Sequence, residues 1–498
     1  MNPERIEKII IAGGGIAGWM AAACISDALR GQVIEITVIG DQTEKEGRSE
    51  AGLPINRAFS QRLGIDEQTL MRETSASFSL GTRFADWLAP GKHYYQPLAP
   101  HGASIEYIHF HNYAIKARRA GDQTPINEYS LCAMSANSGK FTHPAMEPDS
   151  ILSTLVYAHH FDSALYTAFM RRYAEANGVK GLDAKVVDAQ LRTEDGFISS
   201  VTLDNGDALS ADLFIDCSGK TAVLSEQSLH SGYEDWSQYL PANRMVSGSG
   251  PLTDMAPRSS ITALDAGWYQ SLPMQHCQAH RLIFCDRHLE DSTASEALRK
   301  ESGSDLYDFE ISELQQGHRK AFWTANCISL GSAAGCFEPL AGTRLALLQS
   351  GLMRLVSMFP DKACNPLLID EYNQLTRLEY QNIRDFLVLH YRASTRKALP
   401  FWRDYLEQSV PESLAYKIRL FESQGQVAFY EEESFPDHVW ASVWLGQDQW
   451  PAAYDPTLDH YDFERLTARF EQMKQIIQQS VSAMPGHQDY LARYCRAS

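Results

Sequence analysis

Several features are scarce or missing in this chain of 498 residues, and each shortage narrows what it can be. No apolar run approaches the roughly eighteen residues that span a bilayer, so no membrane segment is expected. The opening "MNPERIEKIIIAGGG" puts acids ahead of a short apolar stretch that runs into glycines. That is unlike a secretory signal, and a cytoplasmic location is expected. The nine cysteines are odd in number and lack paired spacing, which excludes a disulfide framework and fits reduced thiols. Neither CxxC nor HExxH occurs, so no metal site is expected. His159 and His160 are sequence neighbours that point different ways in any regular structure, and they read as a structural pair. Basic residues are outnumbered, with 44 Lys and Arg against 62 Asp and Glu, for a formal charge of −18. They form no stripe, which excludes nucleic acid as a general partner. Internal repeats and low-complexity linkers are absent as well.

What remains is an ordinary globular composition, 44% hydrophobic and 21% charged, long enough for two or three domains or one domain with insertions. "KIIIAGGGIAGWMAAACISDAL" reads as a buried strand, a glycine turn and an Ala-rich helix, and "IEITVIGD" follows as a second strand ending at Asp41. Residues 184–219 read as alternating strands with DG and NG turns, closing on "LFIDCSG". "NCISLGSAAG" is another apolar strand that empties into small residues. From about Pro366 the patterns are helical and aromatic. Phe401, Trp402, Trp440, Trp444, Trp450 and Tyr454 are expected to cap the core or a substrate channel.

Gly13-x-Gly15-x-x-Gly18 lies between a strand and a helix. There glycine permits a tight turn and close approach of backbone to a pyrophosphate, with the helix N-terminus supplying N–H groups. Asp41 stands where a ribose-binding acid is expected, or is a plain turn residue. Asp216 precedes a small-residue turn as a cofactor-side acid or a turn cap. Three strand ends, far apart in sequence and all emptying into small residues, suit a long extended cofactor, and FAD fits better than NAD.

At this point the chain resembles the flavin-dependent tryptophan halogenase family, within the flavin monooxygenase-like folds. The resemblance rests on "GGGIAGWMAA", "SEAGLP", "LGIDEQTLMRETSASFSLGTRFADW", "YAHHFDSALY", "DLFIDCSG", "GYEDWSQYLP", "NCISLGSAAGCFEPL" and "IRDFLVLHY", and covers nearly the whole sequence. It implies an α/β fold: an FAD-binding Rossmann-like domain of the glutathione reductase and flavin monooxygenase type, with an inserted β-sheet substrate region. Residues 1–364 would form this domain, around a discontinuous nucleotide-binding core of 1–45, 184–219 and 326–352. Residues 365–498 would form a mainly helical region capping the substrate side.

The resemblance further implies FAD contacts at Gly13, Gly15, Ala17, Gly18, Glu50, Val187, Ser332 and Leu345. It implies FAD reduced by a separate flavin reductase, use of oxygen, and chloride or bromide bound at Thr343 and Arg344. The substrate would be a small aromatic molecule or an aromatic residue of a peptide, and a homodimer is allowed. In the family, hypohalous acid travels to a lysine in "F-K-x-G/A" that is assisted by the second glutamate of "E-P-L-E-S-T-G". Here those positions hold Ser79 and Ala341, the Gly of the family's Thr-Gly halide step is Arg344, and Glu338 keeps the structural "E-P-L" place. On the substrate side "H-P-F" becomes Gln96-Pro97-Leu98, and "W-x-W-x-I-P" becomes "WYQSLP", with Trp268 and Pro273 kept and Gln270 replacing the second Trp. Serine cannot form a haloamine and carries no charge. Three readings stay open: a flavoenzyme that oxidises its substrate without the lysine relay; a halogenase with free hypohalous acid or a relocated lysine, Lys92 or Lys220; and a non-catalytic flavin- or partner-binding protein. Arg344 would hold an anion or form a structural salt bridge.

Overall fold

Lys8–Ala12 (β1), Glu35–Ile39 (β2), Leu213–Asp216 (β3) and Cys327–Ser329 (β4) are short runs rich in β-branched and apolar residues, the composition of strands buried on both faces. In the structure of the protein, a computed structural model describing residues 5–41, 49–106 and 108–497, they lie side by side. Residues 1–4 and 42–45 of the expected first core segment are outside the described residues. The sheet runs Trp323–Thr324, β4, β3, β1, β2, Lys180–Leu182. Its central pairs are parallel, with Ala12 opposite both Ile39 and Asp216, and Asp216 opposite Ser329. The strand ends that empty into small residues therefore finish level on one edge.

Helix α1 (Ile16–Ala28) is buried without interruption from Ile16 to Ser26, as an all-round apolar helix must be. It packs against α2 (Thr343–Ser357), which precedes the long α3 (Pro366–Arg392). Residues 184–219 form the alternating strands expected. Val186–Leu191, Ile198–Leu203 and Ala208–Ser210 make a small antiparallel sheet before the chain joins the parallel sheet at β3.

The chain divides into two compact units, residues 1–74, 161–237 and 314–381, and residues 75–160, 238–313 and 382–498. The first holds the parallel sheet, α1 and α2. The second is built on a seven-stranded sheet in the order Tyr307–Glu313, Arg244–Gly250, Gln278–Phe284, Gly267–Pro273, Ser259–Leu264, Gly81–Ala85, His93–Pro97. It also contains helices drawn from residues 400–494. Phe401, Trp402, Trp440 and Trp444 are buried in it, whereas Trp450 and Tyr454 are only half-buried. The first four are therefore core. Trp450 lies at the surface under the Arg118 guanidinium, 4.9 Å from the ring.

This second unit buries several histidines as neutral rings. His160 sits 3.0 Å from Ser259 Oγ, and burial pulls its pKa down to about 3. Burial pulls His390 and His487 down to about 4. The unfolded chain binds these protons near the ordinary pKa of about 6.5, while the native state refuses them. Stability is therefore complete above that pH and falls below it, by about 1.4 kcal/mol per pH unit for each such ring until its native pKa is reached. The melting temperature should drop steadily between about pH 6.5 and pH 5. A level profile over that range would mean the native rings accept protons.

All nine cysteines are buried, and none is in a disulfide. Among the described residues no helix is long and apolar enough to cross a membrane, and no three His, Cys, Asp or Glu are grouped to hold a metal.

Candidate functional site

The glycine loop follows β1. Gly13 has φ 122°, and a Cβ there would lie 2.1 Å from the carbonyl oxygen of Cys217. A Cβ on Gly18 would lie 1.9 Å from the Gly13 carbonyl oxygen. Two strand ends and a helix thus meet backbone to backbone, which only glycine allows. Gly15 differs, because a Cβ there would meet nothing within 4 Å. It is the N-cap of α1 and makes no side-chain capping bond. The first-turn N–H groups, at the positive end of a buried helix, therefore receive no side-chain cap.

Two clefts flank this loop within the first unit. One brings together Ala17, Glu50, Ser332, Arg344 and Leu345, with Phe337 and Tyr380 supplying aromatic wall. The other is lined by Gly13, Asp41, Lys185, Val186, Ser218 and Thr221 among others. Asp41 Oδ2 is 3.4 Å from Lys185 Nζ, so a strand-end acid and a base face each other there. Val187 is not part of that lining and is 50% exposed. Successive strand residues point to opposite faces, and the neighbour Val186 takes the inner place. Lys185 carries no sequence signal, since it is one basic residue at the start of an ordinary strand.

Asp216 is a cap. Its carboxylate accepts hydrogen bonds from the Ser218 N–H and hydroxyl, the Leu224 and Ser225 N–H groups and the Ser225 hydroxyl, at 2.6 to 3.1 Å. These bonds brace the π-helix Val223–Ser228 behind Ala222, which is left-handed at φ 44°. They also hold the Ser218–Thr221 wall of the second cleft. Asp216→Asn replaces one acceptor oxygen with an NH2 group facing buried donors. It should cost about 1–3 kcal/mol in denaturant unfolding. A midpoint unchanged from wild type would contradict the brace.

The stretch before α2 shows what its acid does. Glu338 is fully buried in the turn, its N–H donating to Gln316 Oε1 at 3.0 Å and its carbonyl accepting from Leu340. Ala341, also buried, presents only a methyl group. Gly342 is the N-cap of α2, with φ 69°, and Thr343 begins the helix with its hydroxyl buried and unpartnered. Arg344 Nη1 lies 3.5 Å from Glu50 Oε1, so the arginine is engaged in an ion pair.

In the second unit, Ser79 ends the strand Ser77–Ser79, which pairs antiparallel with Ala158–Asp162. It is 4% exposed, and its hydroxyl donates to the Gly81 carbonyl at 3.3 Å. Gln96 is buried with its side-chain amide 3.0 Å from His390 Nε2, and Leu98 is half-buried. Trp268 donates its indole N–H to Tyr391 Oη at 2.9 Å, and Gln270 is buried beside it in the same strand. Lys92 and Lys220 are both exposed. Lys417 is a buried lysine paired with Glu433, each side chain 1% exposed, and nothing in the sequence marks it. Lys417 Nζ also lies 4.1 Å from the Trp440 ring centre. No spacing rule marks a pair sixteen residues apart on either side of a turn.

The tryptophan halogenase family model matches residues 8–462. The tryptophan 7-halogenase RebH of Lentzea aerocolonigenes is 30% identical over 445 residues, covering 84% of this chain and 82% of that one. Among solved structures, BrvH, a flavin-dependent halogenase from Brevundimonas sp. BAL3, superposes with a TM-score of 0.94 at 36% identity, over 98% of this chain and 99% of its own. Xcc4156, a flavin-dependent halogenase from Xanthomonas campestris, does so with a TM-score of 0.95 at 31% identity, over 99% of each. Sequence, fold and a helix end open beside two clefts lead to one placement: the chain belongs to the tryptophan halogenase family of flavin-dependent enzymes.

Proposed function

We propose that the protein is an FAD-dependent oxidoreductase that receives reduced FAD from a separate flavin reductase and acts with oxygen on an aromatic, indole-like substrate, without the lysine relay of its relatives. The substrate is a small molecule or an aromatic residue of a peptide. The discontinuous segments 1–45, 184–219 and 326–352 form its FAD-binding core.

The residues present fit FAD. The uncapped end of α1 above Gly15 suits a pyrophosphate. The cleft holding Gly13, Asp41 and Lys185 suits the adenosine half, and the one holding Ala17, Glu50, Ser332 and Leu345 suits the flavin half. Bound there, FAD supplies the redox and oxygen chemistry. Gly13 and Gly18 let the backbone approach, Asp216 holds one cleft wall in place, and Phe337 and Tyr380 give the other an aromatic side.

The observation that carries the departure is Ser79. Where the relatives' motif has a lysine, this chain buries a neutral hydroxyl already bonded to its own backbone. Ala341 likewise offers no carboxylate. A group of each sign is missing, so neither position leaves an unpaired buried charge. The exposed Lys92 and Lys220 are poor substitutes, and Lys417 is neutralised by Glu433 in an aromatic setting.

FAD titration followed by flavin fluorescence, together with oxygen uptake in the presence of an independent flavin reductase, tests the reading. Tight micromolar binding and protein-dependent oxygen uptake are expected. Binding without uptake would favour a non-catalytic flavoprotein, and no binding at all would overturn the assignment.

A further inference from the structure

In the seven-stranded sheet of the second unit, Arg83 stands directly opposite Tyr95 on one neighbouring strand and Ser260 on the other. Residues paired in this way share one face of a sheet. Gln96, next along the strand from Tyr95, occupies the other face. Arg258, two residues before Ser260, joins the first group, since its charge acts on both the Arg83 guanidinium and the Tyr95 phenol. The helix Leu131–Asn137 packs on the strands of Arg83 and Tyr95, and the helix Asp291–Ser302 packs on Arg244–Gly250, Gly267–Pro273 and Gln278–Phe284. On the strand Ser259–Leu264, between these two sets, Ser260 and Thr262 are only half-buried. The face is therefore open along that strand.

The polar groups gathered there are short of acceptors. Arg258 Nη1 donates to the Ala136 carbonyl at 2.8 Å, and Nη2 lies 3.1 Å from Asp254 Oδ2. Its Nε–H is buried and has no acceptor among the described residues. The Tyr95 hydroxyl is likewise buried and unpartnered. Gly81 sets the lie of that ring, because a Cβ there would be 2.7 Å from Tyr95 Cε1. Burial pushes the phenol up, so it keeps its proton and remains a donor. Arg83 is half-buried and, among the described residues, has neither a hydrogen bond nor an ion pair. Burial pulls its pKa down, and the Arg258 charge adds to that more than Asp86 or Asp254 opposes it. Asp86 Oδ1 accepts from the Gly91 N–H at 2.6 Å. A guanidinium beside a like charge, with no acceptor of its own, is costly unless an anion joins it.

We infer that Arg83, Arg258 and Tyr95 form a binding site for the carboxylate of a small molecule, on the sheet face opposite Gln96. Asp254 already offsets Arg258, so the charge left over is that of Arg83, which suits a monoanion better than a dianionic phosphate. The planar guanidinium of Arg83 can hold both oxygens of a carboxylate at once. The Tyr95 hydroxyl and the Arg258 Nε–H are the further donors. The site is separate from the flavin chemistry and stands or falls without it.

The test titrates the full chain with isotope-labelled acetate at constant ionic strength, read by ligand-observed NMR, with inorganic phosphate as the second arm. Wild type should bind acetate saturably in the millimolar range, and phosphate more weakly. Arg83→Gln should weaken acetate binding by at least about tenfold, and Tyr95→Phe by about threefold. Melting in carboxylate-free buffer separates binding from a structural role. Arg83→Gln removes a like-charge neighbour and breaks no protein bond, so its melting temperature should equal or exceed that of wild type. Tyr95→Phe, which deletes only an unpartnered oxygen, keeps the test decisive if the arginine variant does not fold. No saturable acetate binding by wild type, or unchanged affinity in the variants that fold, would overturn the inference. Phosphate saturating at a lower concentration than acetate would overturn it as well.

Discussion

A Gly18→Ala variant is expected to lose FAD affinity by about 100-fold or more, a change of about 2.7 kcal/mol in binding. The added methyl carbon would have to sit 1.9 Å from the Gly13 carbonyl oxygen, far inside contact distance. Backbone, not a flexible side chain, must move. Either α1 shifts away from β1, or Gly13 leaves the left-handed turn that already brings it against Cys217. Both moves misdirect the first-turn N–H groups of α1, and overpacking of this kind also costs about 1–3 kcal/mol of stability. Gly15→Ala is the matched control. A Cβ there meets nothing within the protein, so folding should be spared while the space offered to a pyrophosphate shrinks. Fluorescence titration of both variants decides the point. Equal FAD affinity for Gly18→Ala and wild type would mean that the cradle is not where the cofactor sits.

Glu433→Ala is expected to cost about 3–5 kcal/mol, a large part of the stability of an ordinary domain. Lys417 would be left as a buried ammonium beside the Trp440 and Tyr430 rings, without its nearest carboxylate. Burial pushes the Glu433 carboxyl up, against the pull of the Lys417 ammonium beside it. The pair does not stand alone, since Asp385 accepts from Ser413 and Arg384 in the same helical region. Replacing both partners with apolar residues of similar volume, as in Lys417→Met with Glu433→Leu, should be close to neutral. Urea unfolding of the single and double variants measures the difference. A single variant as stable as wild type would show that water reaches the ammonium.

Much of the scaffold was legible because its signals are local. β1, β2, β3 and β4 are apolar runs that stop at glycine, serine or aspartate, and parallel strands buried on both faces must read that way. The DG and NG turns in residues 184–219 marked a meander correctly for the same reason. Side-chain roles set by distant partners were not legible. Asp216 could be a ligand or a cap until the donors at residues 218–225 were placed around it. Val186 and Val187 differ only in which face of the strand they occupy, and a register of one decides it. Arg344 had two plausible roles, and Glu50, almost three hundred positions earlier, chose between them. Lys417 looked like any surface lysine of a helix.

The most direct test of a flavoenzyme without a lysine relay is a single assay. FAD-loaded protein is supplied with an independent flavin reductase, oxygen and bromide, and a halogenation-sensitive dye is followed together with peroxide. Oxygen uptake is expected with no bleaching beyond that of the reductase and flavin alone. Dye bleaching that requires both bromide and this protein would contradict it.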